Sequence, residues 1–500
     1  STLELCDKGI DMAVSDKDLL SIQEARQSVE RAHEAQKIWG TATQQQVDQV
    51  CAAMAQAAFL GAERLGRMAA DETGFGVPEH KKLKNEFASQ HLWKRIQDIR
   101  TVGFVRKDEA NKIYEIAWPM GVVGALIPST NPTSTVINKI LISVKARNGI
   151  VVAPHPTAVN CSRETAQLMI DAAEDAGAPK GLISYLTKIS IKGTQEMMAH
   201  KRTAVILATG GSEMVRVAHS QGKPAYGVGP GNVPVYVDRS ADLEKAARYI
   251  VASKAFDYSV ICATEQAVVA DRPIAARLQQ LMESEGAYFV DETQANALRK
   301  ALFHSDGTIN VASVGKSPQY LAAMAGIRVP AHARILVAKL SKTGRDEPLS
   351  REKMTTVLGW YESNGWEAGC ERCIELINFG GRGHSLIIHA TDEKVIMAFG
   401  LEKPVFRIGV NTMGTLGSIG LTTNVMPSLT LGAGGIGGSI TGDNVGVYHL
   451  FNIKRMAFET SRPPEMAMRS GTTPSGPVYG PAPSEIEAVV EEVVQQIIRA

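Results

Sequence analysis

Apolar residues recur at helical spacing almost without a break from residue 18 to residue 98, as in LLSIQEARQSVERAHEAQKIW and VDQVCAAMAQAAFLGAERLGRMA, with Gly and Pro kept to the interruptions. That pattern predicts a helical lead-in. From about residue 112 the period changes, and short β-rich runs alternate with helical ones: VVGALI, a helix near 133–147, GIVVA, a helix near 161–177, AVILA, a helix from 211, and VPVYV. Such alternation predicts a parallel sheet with crossover helices. A second series follows residue 262, with QAVVA, a helix from Pro273, ARILVA, a helix from Trp366, and HSLIIHA. Two doubly wound α/β domains are expected, with a ligand cleft between them.

After residue 426 the texture is glycine-rich and poor in helix formers. PSLTLGAGGIGGSITGDNVG holds a formal G-x-G-x-x-G at Gly432, Gly434 and Gly437, but nothing behind it opens a helix of a βαβ unit, so it reads as a loop at the mouth of a site. Residues 470–483, SGTTPSGPVYGPAP, have the composition of an extended linker. Beyond them, SEIEAVVEEVVQQIIRA sets Ile486, Val489, Val490, Val493, Val494, Ile497 and Ile498 on one helical face, with Ser484 and Glu487 as a capping box. A well-specified amphipathic helix on a tether can dock on its own chain or on another protein. The resulting division is 1–235 (helical lead-in and cofactor domain), 236–410 (catalytic domain), 411–469 (return segment), 470–483 (linker) and 484–500 (terminal helix).

Composition removes several functions. Lys and Arg total 53 against 52 Asp and Glu, so no charge excess argues for nucleic acid or a membrane surface. No apolar run reaches the roughly 18 residues needed to cross a bilayer, and the charged N-terminal stretch lacks a signal-peptide core; an intracellular, cytoplasmic protein is expected. Six cysteines in 500 residues do not make a disulfide scaffold. Cys370 and Cys373 form a C-x-x-C, but it lies in the amphipathic run WEAGCERCIELINFGG with no further ligands nearby. They read as structural helix cysteines, and no metal is expected.

Cys262 is the residue with the most chemistry in reach. It sits in SKAFDYSVICATEQAVV, where apolar stretches deliver a thiol into a small-residue turn and lead away from it. A thiol is the best neutral-pH nucleophile among side chains when a base or a lowered pKa activates it, although a lone Cys is commonly an inert small hydrophobe.

The stretches PMGVVGALIPSTNPTST, ILATGGSEMV, KPAYGVGPGNVPV, FDYSVICATEQ and GGRGHS, in that order along the chain, resemble the CoA-acylating aldehyde dehydrogenases. The resemblance is to the aldehyde dehydrogenase half of bifunctional aldehyde/alcohol dehydrogenases and to the acylating propionaldehyde and acetaldehyde dehydrogenases of bacterial microcompartments, and it runs from about residue 15 to about residue 457. It implies the aldehyde dehydrogenase fold with an oligomerisation arm, made by the segment before Gly121 and the strand-like tail after residue 445, and assembly as a homodimer or homotetramer. It also implies that a short-chain aldehyde, propionaldehyde or acetaldehyde, is oxidised with NAD and CoA to acyl-CoA and NADH. By the same resemblance the enzyme works in the lumen of a microcompartment, with residues 484–500 as an encapsulation peptide for a shell protein.

On this reading Cys262 adds to the aldehyde and becomes acylated, while the Asn131 amide and the Cys262 backbone N–H hold the oxyanion. Asn131 in PSTNP also suits a simple turn. Hydrolytic relatives use a glutamate of a Glu-Leu-Gly-Gly motif as base for water; with Gly231 and Pro234 as anchors, its place here falls on Val228, which cannot take a proton. A CoA thiol needs less help, so acyl-CoA is the expected product. Thr209, Gly210 and Gly211 end a strand and open a helix suited to a pyrophosphate. The resemblance adds Ser129, Thr130, Pro154, His155 and Gly229 around the cofactor, and Glu352 for the nicotinamide ribose. His155 stands where hydrolytic relatives carry a lysine, and no Arg or Lys there pairs a 2′-phosphate, which favours NAD over NADP. His384 in GGRGHS is either a base for Cys262 or the CoA thiol, or a strand-end histidine with a structural hydrogen bond. Two other readings are a hydrolytic dehydrogenase with another base and a packaged assembly component with weak activity.

Overall fold

The lead-in forms as helices Lys17–Trp39, Gln44–Leu60, Ala62–Thr73 and Pro78–Glu86, the last running on through Phe87–His91 and Leu92–Ile96, in a computed structural model that describes residues 16–464 and the isolated positions Ala467, Ala488 and Glu492. Local chemistry sets their ends. The Asp16 side chain accepts from the Asp18 N–H, Thr43 and Gln46 make a reciprocal capping box, and Pro78 takes the first position of its helix. The linker 470–483 and the terminal helix 484–500 lie outside the described residues, apart from Ala488 and Glu492.

Two compact units divide the chain, 1–106 with 115–454, and 107–114 with 455–500. In the smaller, the Tyr114 ring meets Phe458 edge-on with centroids 5.2 Å apart. Strands Phe104–Asp108, Ile113–Pro119 and Phe451–Ala457 make a three-stranded sheet in that order. The larger unit holds everything that follows.

Its two parallel sheets are doubly wound. The first has five strands in the order Ile183–Tyr185, Gly149–Ala153, Val122–Leu126, Thr203–Thr209, Ala225–Val228. The second has seven, ordered Ala287–Val290, Ile335–Lys339, Val357–Ser363, Glu265–Asp271, Val233–Val237, Leu386–His389, Ile408–Val410. VPVYV, grouped with the first series from its position in the chain, pairs instead with Glu265–Asp271 and Leu386–His389 in the second sheet. An apolar run buried on both faces does not encode which sheet it joins. Every residue of Val122–Leu126 and Gly149–Ala153 is buried, which explains why these strands read as continuous apolar runs without alternation.

Helix Pro132–Lys145 is buried along its whole length between sheet and lead-in. Its Lys139 ammonium donates to the carbonyls of Leu126 (2.6 Å) and Leu207 (2.9 Å), tying together the ends of two neighbouring strands. Helix Gly365–Phe379 buries both Cys370 and Cys373, and Lys403 Nζ donates to Cys370 Sγ. Among the described residues no group of His, Cys, Asp and Glu could hold a metal ion, and no helix is long and apolar enough to cross a membrane.

The glycine-rich segment contains only the short turn Gly435–Gly437. It lies against the GGRGHS loop so closely that a Cβ on Gly383 would fall 1.7 Å from the Ala433 carbonyl oxygen. Arg407 secures it by donating from Nη1 to the carbonyls of Gly432 (2.8 Å) and Gly442 (3.0 Å).

Candidate active site

The order of the five-stranded sheet reverses between Val122–Leu126 and Thr203–Thr209, and the loops that leave those two strands diverge. Such a switch point opens a crevice at the carboxyl ends of parallel strands. Here it is a cavity of about 1290 Å³. Ser129, Thr130 and Asn131 line it from one loop and Thr209, Gly210 and Gly211 from the other, while His155, Gly229, Glu352 and Cys262 complete the set expected from sequence. Pro154 and His384 are not in the lining; both are buried behind it.

Helix Ser212–His219 starts after Gly211 with no side-chain cap, so its first N–H groups are free for a ligand. A Cβ on Gly211 or Gly229 would meet nothing within 4 Å, so space lies open around both. These features fit a dinucleotide pyrophosphate. Val228 ends strand Ala225–Val228, is buried, and lines the same cavity. Val228 itself carries no carboxylate; the Glu352 carboxyl that lines the same cavity is met by the Gly231 N–H at 3.1 Å.

Cys262 arrives differently. The three residues Asp257, Tyr258 and Ser259 take φ of 48°, 50° and 70°, a left-handed run of side-chain-bearing residues that costs on the order of 1 kcal/mol or more at each position. Buried hydrogen bonds hold it. Asp257, completely buried, accepts from the Val77 N–H at 2.7 Å, from Lys81 Nζ at 3.1 Å and from Lys84 Nζ, and its own N–H donates to His80 Nδ1 at 2.8 Å. Gly76 makes room, since a Cβ there would fall 2.0 Å from Asp257 Oδ1 at a φ of +76°. Downstream, the Val260 carbonyl accepts from Asn131 Nδ2 at 3.1 Å, so the loop that carries the thiol is joined to the loop of the other lobe.

Burial pushes the Cys262 thiol up to about 12, the Glu352 carboxylate adds to the rise, and the Arg407 guanidinium opposes it. Glu352 itself is pushed up to about 7 by burial, although the Gly231 N–H donates to its Oε1 at 3.1 Å. Gly231 is a crossing point: a Cβ there would lie 2.3 Å from the Cys262 carbonyl oxygen and 3.0 Å from His384 Nδ1. His384 is pulled down to about 3 by burial and by Arg407 and is neutral at pH 7. Its Nδ1 is 3.1 Å from Ser385 Oγ, and its buried Nε2 has no partner.

Sequence reasoning missed Lys81, Lys84, Asp257 and Arg407. The string VPEHKKLKN carries no local sign of burial, yet while Lys82 pairs with Glu63 near the surface, Lys81 and Lys84 are buried. Lysines at i and i+3 share a helix face, but nothing in the string says that a carboxylate some 170 residues away meets them.

A thiol delivered by a strained loop to a nucleotide-sized cleft between two doubly wound lobes defines an aldehyde dehydrogenase arrangement, and the sequence matches the model of the aldehyde dehydrogenase family over residues 13–288. The chain belongs to that family. It is 50% identical to an acetylating aldehyde dehydrogenase of known structure from Geobacillus thermoglucosidasius, covering 90% of this chain and 100% of that one with a TM-score of 0.89. The propionaldehyde dehydrogenase of Rhodopseudomonas palustris, solved with bound CoA and an acylated cysteine, is 26% identical with a TM-score of 0.79 over 87% of this chain and 97% of that one. The aldehyde-alcohol dehydrogenase of Clostridium acetobutylicum is 39% identical over 442 residues, 87% of this chain and 51% of that protein. The chain thus spans about half the length of that relative.

Proposed function

We propose that the protein is a CoA-acylating aldehyde dehydrogenase that converts a short-chain aldehyde, NAD+ and CoA to acyl-CoA, NADH and a proton. The observation that carries this reading is that Cys262 and Asn131 line one cavity together with the apolar Val228 at the hydrolytic-base position, while Asn131 Nδ2 donates to the Val260 carbonyl two residues before the thiol. Thr209, Gly210 and Gly211 would hold the pyrophosphate of NAD, Ser129, Thr130, His155 and Gly229 would border it, and Glu352 would accept from ribose hydroxyls. When bound, NAD+ supplies a cationic ring that accepts the hydride.

Arg407 favours the Cys262 thiolate. The thiolate adds to the aldehyde carbon, and the oxyanion of the resulting thiohemiacetal takes hydrogen bonds from the Cys262 N–H and from Asn131 Nδ2, which would release Thr130 Oγ1, its present partner at 3.1 Å. Loss of hydride leaves a thioester on Cys262. Val228 offers no base to activate water, whereas the CoA thiol ionises near pH 8.5 and attacks the thioester unaided. His384, pulled down to about 3 and buried behind the cavity lining, is too weak a base to hold the CoA proton, which leaves to solvent.

Propionaldehyde and acetaldehyde are the substrates inferred from the family resemblance, and a homodimer or homotetramer is the assembly inferred. The apolar face of residues 484–500 behind a Pro/Gly linker supports packaging in a microcompartment lumen through a shell protein. The deciding experiment is product analysis with and without CoA. NADH should form at full rate only with CoA, with acyl-CoA in equal amount. Free acid produced at full rate without CoA would overturn the reading in favour of hydrolysis.

A further inference from the structure

Lys84 is 2% exposed, is fixed on helix Pro78–Glu86, and takes no part in the steps above. Its ammonium donates to two oxygens, Asp257 Oδ2 and Asn131 Oδ1. Charge balance for Asp257 does not by itself account for it, because Lys81 already meets the same carboxylate oxygen at 3.1 Å and the Val77 N–H takes the other at 2.7 Å. Bringing a second ammonium out of water is costly unless it makes a contact that matters. The remaining contact is Asn131.

An asparagine amide can point either way, and its flanking groups decide which. On one side stands Lys84, lowered to about 7 by burial against the pull of the Asp257 carboxylate and in its ammonium form a donor only; on the other stands the Val260 carbonyl, which only accepts, 3.1 Å from Nδ2. Reversed, the amide would set its N–H groups against an ammonium and its oxygen against a carbonyl. Lys81 holds the preceding backbone as well, donating to the Thr130 carbonyl at 3.0 Å. A cation on the amide oxygen also draws electron density from the nitrogen, which makes the N–H a stronger donor.

We propose that Lys84 is a positioning residue: it locks the Asn131 amide with its N–H side toward the Cys262 loop and polarises that N–H for the oxyanion. Asp257 is its counter-charge, so one buried cluster sets both the loop bearing the thiol and the donor facing it. The inference rests on the reading above that Asn131 donates to the oxyanion.

The test is a double-mutant cycle on the full chain, with NADH formation from propionaldehyde measured at saturating NAD+ and CoA. Asn131→Ala should lower kcat about 10²-fold, the scale for losing one oxyanion donor, and Lys84→Met about tenfold or more with the KM for NAD within about twofold of wild type. The double variant should fall no further than Asn131→Ala, within about twofold, because Lys84 acts through the amide. A purely structural lysine gives multiplied losses instead, and that result overturns the proposal, as does Lys84→Met within twofold of wild type. If Asn131→Ala alone leaves kcat unchanged, the oxyanion reading itself falls and this inference with it. Should Lys84→Met fail to give soluble protein, Lys84→Gln, which keeps a polar side chain there without the charge and leaves Lys81 paired with Asp257, is read in the same cycle.

Discussion

On the side of the cleft proposed for the nucleotide, Thr209–Gly211 and Gly229 present backbone with open space around it, and a methyl group on either Gly211 or Gly229 would touch nothing. On the thiol side, every polar atom of Asp257 is engaged and a methyl group on the neighbouring Gly76 has no room at all. The difference follows from what each side must do. A cofactor that enters and leaves each turnover is served by free N–H groups, whereas a nucleophile must stay in one place, and a left-handed backbone run persists only when its surroundings overdetermine it.

Removing the thiol tests that division most severely. Cys262→Ala should lower NADH formation by about 10³-fold or more, while binding of NAD, followed by quenching of tryptophan fluorescence, stays intact. Activity within tenfold of wild type would place the nucleophile elsewhere. Next in size is Gly76→Ala, which meets both a positive φ and the Asp257 carboxylate; it should cost about 2–4 kcal/mol, read as a lower midpoint in chemical denaturation. On the open side Gly211→Ala should leave that midpoint unchanged and raise the KM for NAD only a few-fold. Equal destabilisation by the two substitutions would erase the contrast.

Between these lies a pH effect. With the Glu352 carboxyl pushed up to about 7, it is protonated below that pH and ionised above it. A ribose hydroxyl is held better by the carboxylate, so the KM for NAD should rise as pH falls below 7, by up to about tenfold per unit, and Glu352→Gln should flatten the profile at the high value. A wild-type KM that does not change between pH 6 and 8 would separate Glu352 from the cofactor.

Much of this was legible in the string of residues, for identifiable reasons. Alternating apolar runs and helical stretches announced parallel sheets, and the glycine turn after ILAT announced a helix opening, because each signal is local. Which sheet VPVYV joins is not local, and its placement was misread. The buried cluster escaped entirely: Lys81 and Lys84 look like any solvated lysines until the fold brings Asp257 to them, and the left-handed turn at Asp257–Ser259 has no glycine to betray it.

The elevated thiol carries a consequence for the enzyme at rest. A sulfur that holds its proton at neutral pH reacts slowly with peroxides, with disulfides and with alkylating drugs, since all of these consume the thiolate. Slow labelling of Cys262 by such reagents near pH 7 is the expected outcome. An irreversible inhibitor aimed at Cys262 would work best if it first brought a positive charge of its own into the cleft beside the thiol.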